Sequence, residues 1–344
     1  MEKRQLGKTD LNVSLICLGT MTWGRQNSER DAFEQLDYAI DQGINFIDAA
    51  EMYPVPPSAE TQGLTEAYLG NWLTARGRRD DLVIATKVTG PSGMDYMRGG
   101  PRLTREQIHA AVDDSLRRLQ TDCIDLYQVH WPERQANFFG KLGFEVANDG
   151  DAVPIEETLG ALNELVEAGK VRHIGLSNET AWGAMEYRRL AGKHGWPRPV
   201  SIQNPYNLLN RSYEVGLAEV SVREDCGLLA YSPLAFGALT GKYLGGRQPA
   251  GARLTEFPRF SRYTSEAGAE ATAAYVKLAR EYGLSPAQMA LAYVNSRPFL
   301  TSNIIGATGM EQLAENIESA HIELSGELLR RIESLHERYT YPCP

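Results

Sequence analysis

The sequence is short of cysteine, of long apolar runs and of positive charge. Four of its 344 residues are cysteine, Cys17, Cys123, Cys226 and Cys343, and no two form a C-x-x-C pair. Such spacing excludes a disulfide framework or a zinc ribbon and points to a reducing compartment, where free cysteine acts as a small core residue. No apolar run reaches the roughly 18 residues needed to cross a bilayer, and the opening MEKRQLGKTDLNVS has no signal-peptide core. Lys and Arg number 35 against 44 Asp and Glu, a net charge of -9. That balance offers no footprint for nucleic acid or an anionic membrane. What is present is a chain 42% hydrophobic, with material for a sizeable core in a cytoplasmic protein.

Its apolar residues fall into eight short runs: LICLG (15–19), INFID (44–48), LVIATKV (82–88), IDLYQVH (124–130), VRHIGLS (171–177), VSIQNP (200–205), LLAYSP (228–233) and NIIGA (303–307). Continuous rather than alternating apolarity suits strands covered on both faces. Amphipathic segments separate or follow them at 29–42, 63–76, 104–119, 155–168, 180–194, 212–226, 270–283 and 310–319. Helix-start signals support several. Thr104 with Gln107 three residues on predicts a capping box, and Ser285 before Pro286 predicts a capped start.

Eightfold strand–helix alternation predicts a single (β/α)8 barrel, a TIM barrel, over residues 1–344, with a doubly wound open sheet as the alternative. Residues 4–14 predict a hairpin across the barrel bottom, and 325–338 a terminal helix on the outside. Two long segments follow strand ends, 132–154 after the fourth strand and 235–265 after the seventh. Both emerge on the face where such barrels keep their chemistry.

Chemically capable residues close several apolar runs: Asp48 on the second, with Tyr53 just beyond, Lys87 on the third and His130 on the fourth. Singly, each has an ordinary structural explanation. A strand-end Asp caps turns, a Lys snorkels, a Tyr packs with its hydroxyl wet, and a His beside Trp131 sits in a core. Together they make chemical sense, because parallel strands bring their C-terminal ends to one rim. An Asp holds a Lys charged, the ammonium pulls a phenol pKa down from about 10, and a His orients a carbonyl. That set supplies a proton to an oxygen gaining charge, as carbonyl reduction requires, with no metal ligand cluster.

At the level of motifs, LGTMTWG (18–24), FIDAAEMY (46–53), IATKV (84–88), IDLYQVHWP (124–132), GKVRHIGLSN (169–178), IQNPYNLL (202–209), YSPLAFGALTGKY (231–243) and IIGATGMEQLAENI (304–317) occur in one order. They resemble the markers of the aldo-keto reductases over about residues 1–340, nearest the bacterial Tas-like branch, with potassium-channel β-subunits similar. The resemblance implies NADP(H)-linked reduction of a small aldehyde or ketone, with Tyr53 as general acid and Asp48, Lys87 and His130 completing a tetrad.

The resemblance also implies cofactor contacts. Gly19, Thr20, Met21 and Trp23 would line the nicotinamide ribose region beside Asp48, Ser177, Asn178 and Gln203 would bind the carboxamide, and Tyr231 would stack on the ring. Ser232, Leu234, Gly237, Leu239, Gly241 and Lys242 would wrap the pyrophosphate, and Gly306, Ala307, Thr308, Gln312, Glu315 and Asn316 would hold the adenosine end. Trp23, Tyr53, His130 and Trp131, with Phe138, Phe139 and Phe144 of the insertion, would form the substrate mouth. The insertion packing on the barrel exterior is the alternative.

Where better-studied branches carry Lys-Ser and a downstream Arg, this chain has Gly306, Ala307 and Gln312, which leaves the choice between NADPH and NADH open. Arg253 stands where the channel-subunit branch supplies an Arg for the 2′-phosphate. A cofactor-sensing binding module of the channel-subunit kind is the alternative to an enzyme, and oligomeric state is open.

Overall fold

An antiparallel hairpin, β1 (Lys3–Gln5) and β2 (Asn12–Ser14), precedes eight parallel strands that close on themselves. These are β3 (Ile16–Gly19), β4 (Phe46–Asp48), β5 (Val83–Val88), β6 (Ile124–Val129), β7 (Val171–Ser177), β8 (Ser201–Pro205), β9 (Gly227–Tyr231) and β10 (Leu300–Ile305). Each pairs with the next in chain order, and β10 closes the ring against β3. The architecture is therefore the expected (β/α)8 barrel and not an open sheet. This computed structural model describes residues 1–141, 143–145 and 149–344; Leu142 and residues 146–148 of the expected insertion lie outside the described residues.

Burial explains the uninterrupted apolar runs. Every residue of β5, β6 and β10 is buried, because one face looks into the barrel and the other meets helices. The hairpin covers the bottom as expected. Leu6 and Val13 are sealed against Cys17, Phe46, Ala85, Leu126 and Leu229 in the barrel interior.

The outer layer begins with α1 (Glu29–Asp41), α2 (Leu64–Arg76), α3 (Arg105–Leu119), α4 (Ile155–Glu167) and α5 (Ala181–His194). It continues with α6 (Leu217–Arg223), a short α7 (Arg253–Glu256), α8 (Glu266–Glu281), α9 (Pro286–Asn295), α10 (Met310–Glu318) and the expected terminal helix, α11 (Gly326–Arg338). The segment expected as one helix over 212–226 is a 3-10 turn (Ser212–Val215) and α6, broken at Gly216. The last strand starts at Leu300, three residues before the expected start, because Leu300–Ser302 are buried though two of the three are polar.

Two cap expectations hold only in half. Thr104 Oγ1 accepts from the Gln107 amide, but the Gln107 side chain accepts from Arg102 N at 2.8 Å instead of reaching back to Thr104. Ser285 does occupy the N-cap before Pro286, yet its hydroxyl donates to Glu315 Oε1. A complete capping box forms instead at Ser28 and Asp31.

Candidate active site

The strand ends converge as their register dictates. Gly19 pairs with Asp48, Lys87 with Gln128 and Ser177 with Gln203, so one rim gathers residues from six strands. Gly19 must be glycine here, since a Cβ would stand 2.8 Å from Ile304 Cγ2 and 2.9 Å from the Ile305 carbonyl. Asn178, Ser232, Ala235 and Phe236 all hold left-handed backbone, at φ 52°, 54°, 50° and 55°. Clustered left-handed residues that are not glycine store strain and gather at functional sites.

At the centre Lys87 Nζ donates to Asp48 Oδ2 at 2.6 Å and to the Ala49 carbonyl at 2.7 Å. It also lies 4.9 Å from the centre of the Tyr53 ring. Asp48 Oδ1 accepts from Gln203 Nε2 at 2.8 Å and Gln128 Nε2 at 3.1 Å. Three donors around one buried carboxylate and one ammonium meet the condition under which a buried charge pair survives. Burial pulls the Lys87 pKa down, but Asp48 and Tyr53 outweigh it and hold the amine charged above its usual range.

Tyr53 departs from expectation. Burial raises its pKa more than Lys87 lowers it, so the phenol sits above its usual value and stays protonated. His130, 5.7 Å from Tyr53 ring to ring, is pushed well below its usual pKa by burial and then by Lys87, so it is neutral. Its Nδ1 has no partner among the described residues.

A cleft of about 1160 Å3 opens above this group, with Asp48, Tyr53, His130 and Trp131 on its wall. Gly19, Thr20, Met21, Ser177, Asn178, Gln203, Tyr231, Ser232, Leu234, Gly237, Lys242, Arg253, Gly306, Ala307, Thr308, Gln312, Glu315 and Asn316 line the same cleft. The rim is cross-linked: Tyr231 donates to Asn178 Oδ1 at 2.6 Å, and Asn178 Nδ2 to the His130 carbonyl at 2.8 Å. Lys87 stands behind the wall, fully buried.

Three residues expected on the wall lie elsewhere. Trp23 is fully buried in the core with its indole N–H donating to Gln35 Oε1 at 2.9 Å, because the turn begun at Thr20 rotates it inward. It does not line the cleft. Leu239 is a core residue, and Gly241 packs its backbone on Val276 of α8. Of the insertion's aromatics, Phe139 lines the cleft, Phe138 packs behind it on the cluster holding Tyr53 and Trp131, and Phe144 is 76% exposed.

Arg259, Phe260, Arg262 and the tail residues 342–344 also line the cleft and were not singled out from sequence. The 235–265 segment pointed to the first three; nothing in the sequence brings the tail to this face. Glu51 is a second omission. Its carboxylate is fully buried, accepts from Thr89 N at 2.7 Å, and pairs with both terminal nitrogens of Arg98 at 2.6 and 2.8 Å. This pair ties the loop carrying Tyr53 to the loop after β5.

Among the described residues no three acids, histidines or cysteines cluster as metal ligands, and no helix is long and apolar enough to cross a membrane. The model of the Aldo/keto reductase family matches residues 15–337. Protein tas of Escherichia coli (strain K12) is 58% identical over the full length of both chains. An uncharacterized oxidoreductase, YrpG, of Bacillus subtilis (strain 168) is 35% identical over 97% of this chain and 96% of its own. A probable voltage-gated potassium channel subunit beta of Arabidopsis thaliana is 31% identical over 94% of this chain and 92% of its own. With that match across the barrel and these relatives along the whole chain, the protein belongs to the aldo-keto reductase family.

Proposed function

We propose that the chain reduces aldehydes or ketones to alcohols with NADP(H), and that Tyr53 supplies the proton. The observation that carries this is the place of Lys87, fully buried between the Asp48 carboxylate and the Tyr53 ring. A charged amine kept dry at that spot has one evident use, to receive the negative charge a phenol acquires when it gives up its proton.

The cleft suits a dinucleotide. Lys242 and Arg253 line it without a carboxylate partner among the described residues, and burial lowers both pKa values, that of Lys242 further through Arg253. Two desolvated cations side by side favour an anion between them. Gly237, at φ 87°, lets Lys242 lie against the backbone, where a Cβ would stand 2.8 Å from Lys242 Cε. The cleft also meets Gly306, Thr308 and Gln312 at the start of α10, whose first-turn amides suit phosphate or ribose oxygens. When bound there, the reduced nicotinamide supplies a hydride to the carbonyl carbon.

Tyr53 passes its hydroxyl proton to the carbonyl oxygen as that oxygen gains charge, and Lys87, oriented by Asp48, stabilises the phenolate left behind. Neutral His130 donates one N–H to the same oxygen and fixes its position. Trp131 and Phe139 exclude water from the substrate side. The four free cysteines fit the cytoplasmic setting this reading includes.

The test is NADPH and NADH oxidation by the purified chain against a panel of aldehydes and ketones, with the alcohol product identified. Matched formation of alcohol and oxidised cofactor supports the proposal. NADPH binding without turnover of any carbonyl would overturn it in favour of a cofactor-sensing module.

A further inference from the structure

The cleft carries cations beyond the two proposed to meet phosphate, and one of them, Arg262, faces the insertion. Arg262 is half-buried and lines the cleft that also exposes Tyr53 and His130. Burial pulls its pKa down, the phenols of Tyr231 and Tyr263 more than restore it, and no carboxylate pairs with it among the described residues.

Its setting is aromatic. The guanidinium carbon lies 5.9 Å from the Phe139 ring and 6.0 Å from the rings of Phe236 and Tyr263. Phe139 in turn meets Trp131 at 5.7 Å, and Trp131 meets His130 at 4.9 Å. An unbroken aromatic wall thus runs from the imidazole to the guanidinium. The insertion closes on that end, since a Cβ at Gly140 would stand 3.0 Å from Arg262 Nε.

Arg262 is not one of the cations proposed to hold phosphate. Phe236 touches both arginines, with Arg253 at 5.5 Å, but their other neighbours differ. Arg253 is held among Lys242 and Tyr243, whereas Arg262 faces Tyr231 and the insertion. Its side of the cleft is the one reached past His130 and Trp131.

Resting on the reductase proposal above, we infer that Arg262 selects carbonyl substrates that carry a carboxylate on an aromatic or apolar body. The carbonyl would meet Tyr53 and His130, the body would lie along Trp131 and Phe139, and the carboxylate would meet the planar guanidinium. A guanidinium matches a carboxylate with two parallel N–H donors, and its low-polarity surroundings strengthen the pair.

The experiment compares kcat/KM for 4-carboxybenzaldehyde and its methyl ester in the wild-type protein, Arg262→Gln and Arg262→Lys. The wild type should prefer the acid by at least about tenfold, as expected of a hydrogen-bonded charge pair. Arg262→Gln should erase the preference through the KM of the acid, and Arg262→Lys should restore part of it. An acid-to-ester ratio that is the same in wild type and Arg262→Gln overturns the inference, and so does a loss of NADPH affinity with no change in that ratio. Calorimetric binding of benzoate against benzamide, with NADP+ present, reads the subsite without turnover. Benzoate preference lost in Arg262→Gln supports it even where no aldehyde is reduced, a result that would sink the reductase proposal alone. Turnover with no benzoate preference sinks the subsite alone.

Discussion

Lys87 Nζ and Asp48 Oδ2 lie 2.6 Å apart with both side chains sealed from solvent. The pair is a liability that its mutual contact and the hydrogen bonds around it offset. Removing one member of such a pair costs about 3–5 kcal/mol because the other charge is left buried and alone. Lys87→Met should therefore destabilise the fold by that order, and adding Asp48→Asn should recover much of it, since neither charge then remains. Reductase activity should stay lost in the double variant. Denaturant unfolding and kcat on the same preparations separate the two effects; a double variant no more stable than Lys87→Met would contradict the account.

His130 gives a pH signature. Its folded pKa lies well below 6.5, chiefly through burial, whereas an unfolded histidine takes up its proton near 6.5. Between those values the unfolded chain binds more protons, so stability is full above about pH 6.5 and falls as pH drops, by up to roughly 1.4 kcal/mol per unit. Wild-type Tm should thus decline more steeply from pH 6.5 to 5 than that of His130→Gln. Parallel slopes would show that His130 is not held neutral.

Much of this was legible in the sequence, and the reasons differ by residue. Asp48 ends its strand, Lys87 stands one residue before the end of its own and His130 one residue past, and a polar residue at the end of a buried strand stands out against its neighbours. Tyr53 was legible from its distance to Asp48. Trp23 was misplaced because closeness to Met21 in the chain says nothing about which way a turn rotates a side chain. The rise in the Tyr53 pKa was missed because spacing reveals the neighbouring charge but not how dry the phenol is. Arg262 and the tail at 342–344 reach the cleft through long-range packing, against Phe139 and against Ser265 at the start of α8. No local pattern encodes such contacts.

Glu51 and Arg98 form a second buried pair near the site, with the Glu51 side chain fully covered and that of Arg98 14% exposed. Glu51→Ala should cost about 3–5 kcal/mol by stranding the guanidinium. Because Glu51 ties the Tyr53 loop to Thr89 N, kcat should fall as well, with NADPH affinity changed less. An unfolding midpoint equal to wild type would refute the coupling.

Arg253 bears on cofactor choice. If it meets the 2′-phosphate, Arg253→Ala should weaken NADPH by about tenfold or more, the scale of a hydrogen bond to a charged group. NADH, lacking that phosphate, should bind nearly as before. Fluorescence titration of both cofactors decides it, and equal losses, or none, would remove Arg253 from that role.

The most direct measurement is kcat/KM of Tyr53→Phe with NADPH and a good aldehyde substrate, beside its NADPH dissociation constant. If the Tyr53 hydroxyl gives the proton, activity should fall by about 10²–10⁴ while NADPH binds within a few-fold of wild type. Activity retained within a few-fold by a protein that lacks this hydroxyl would contradict the proposed chemistry.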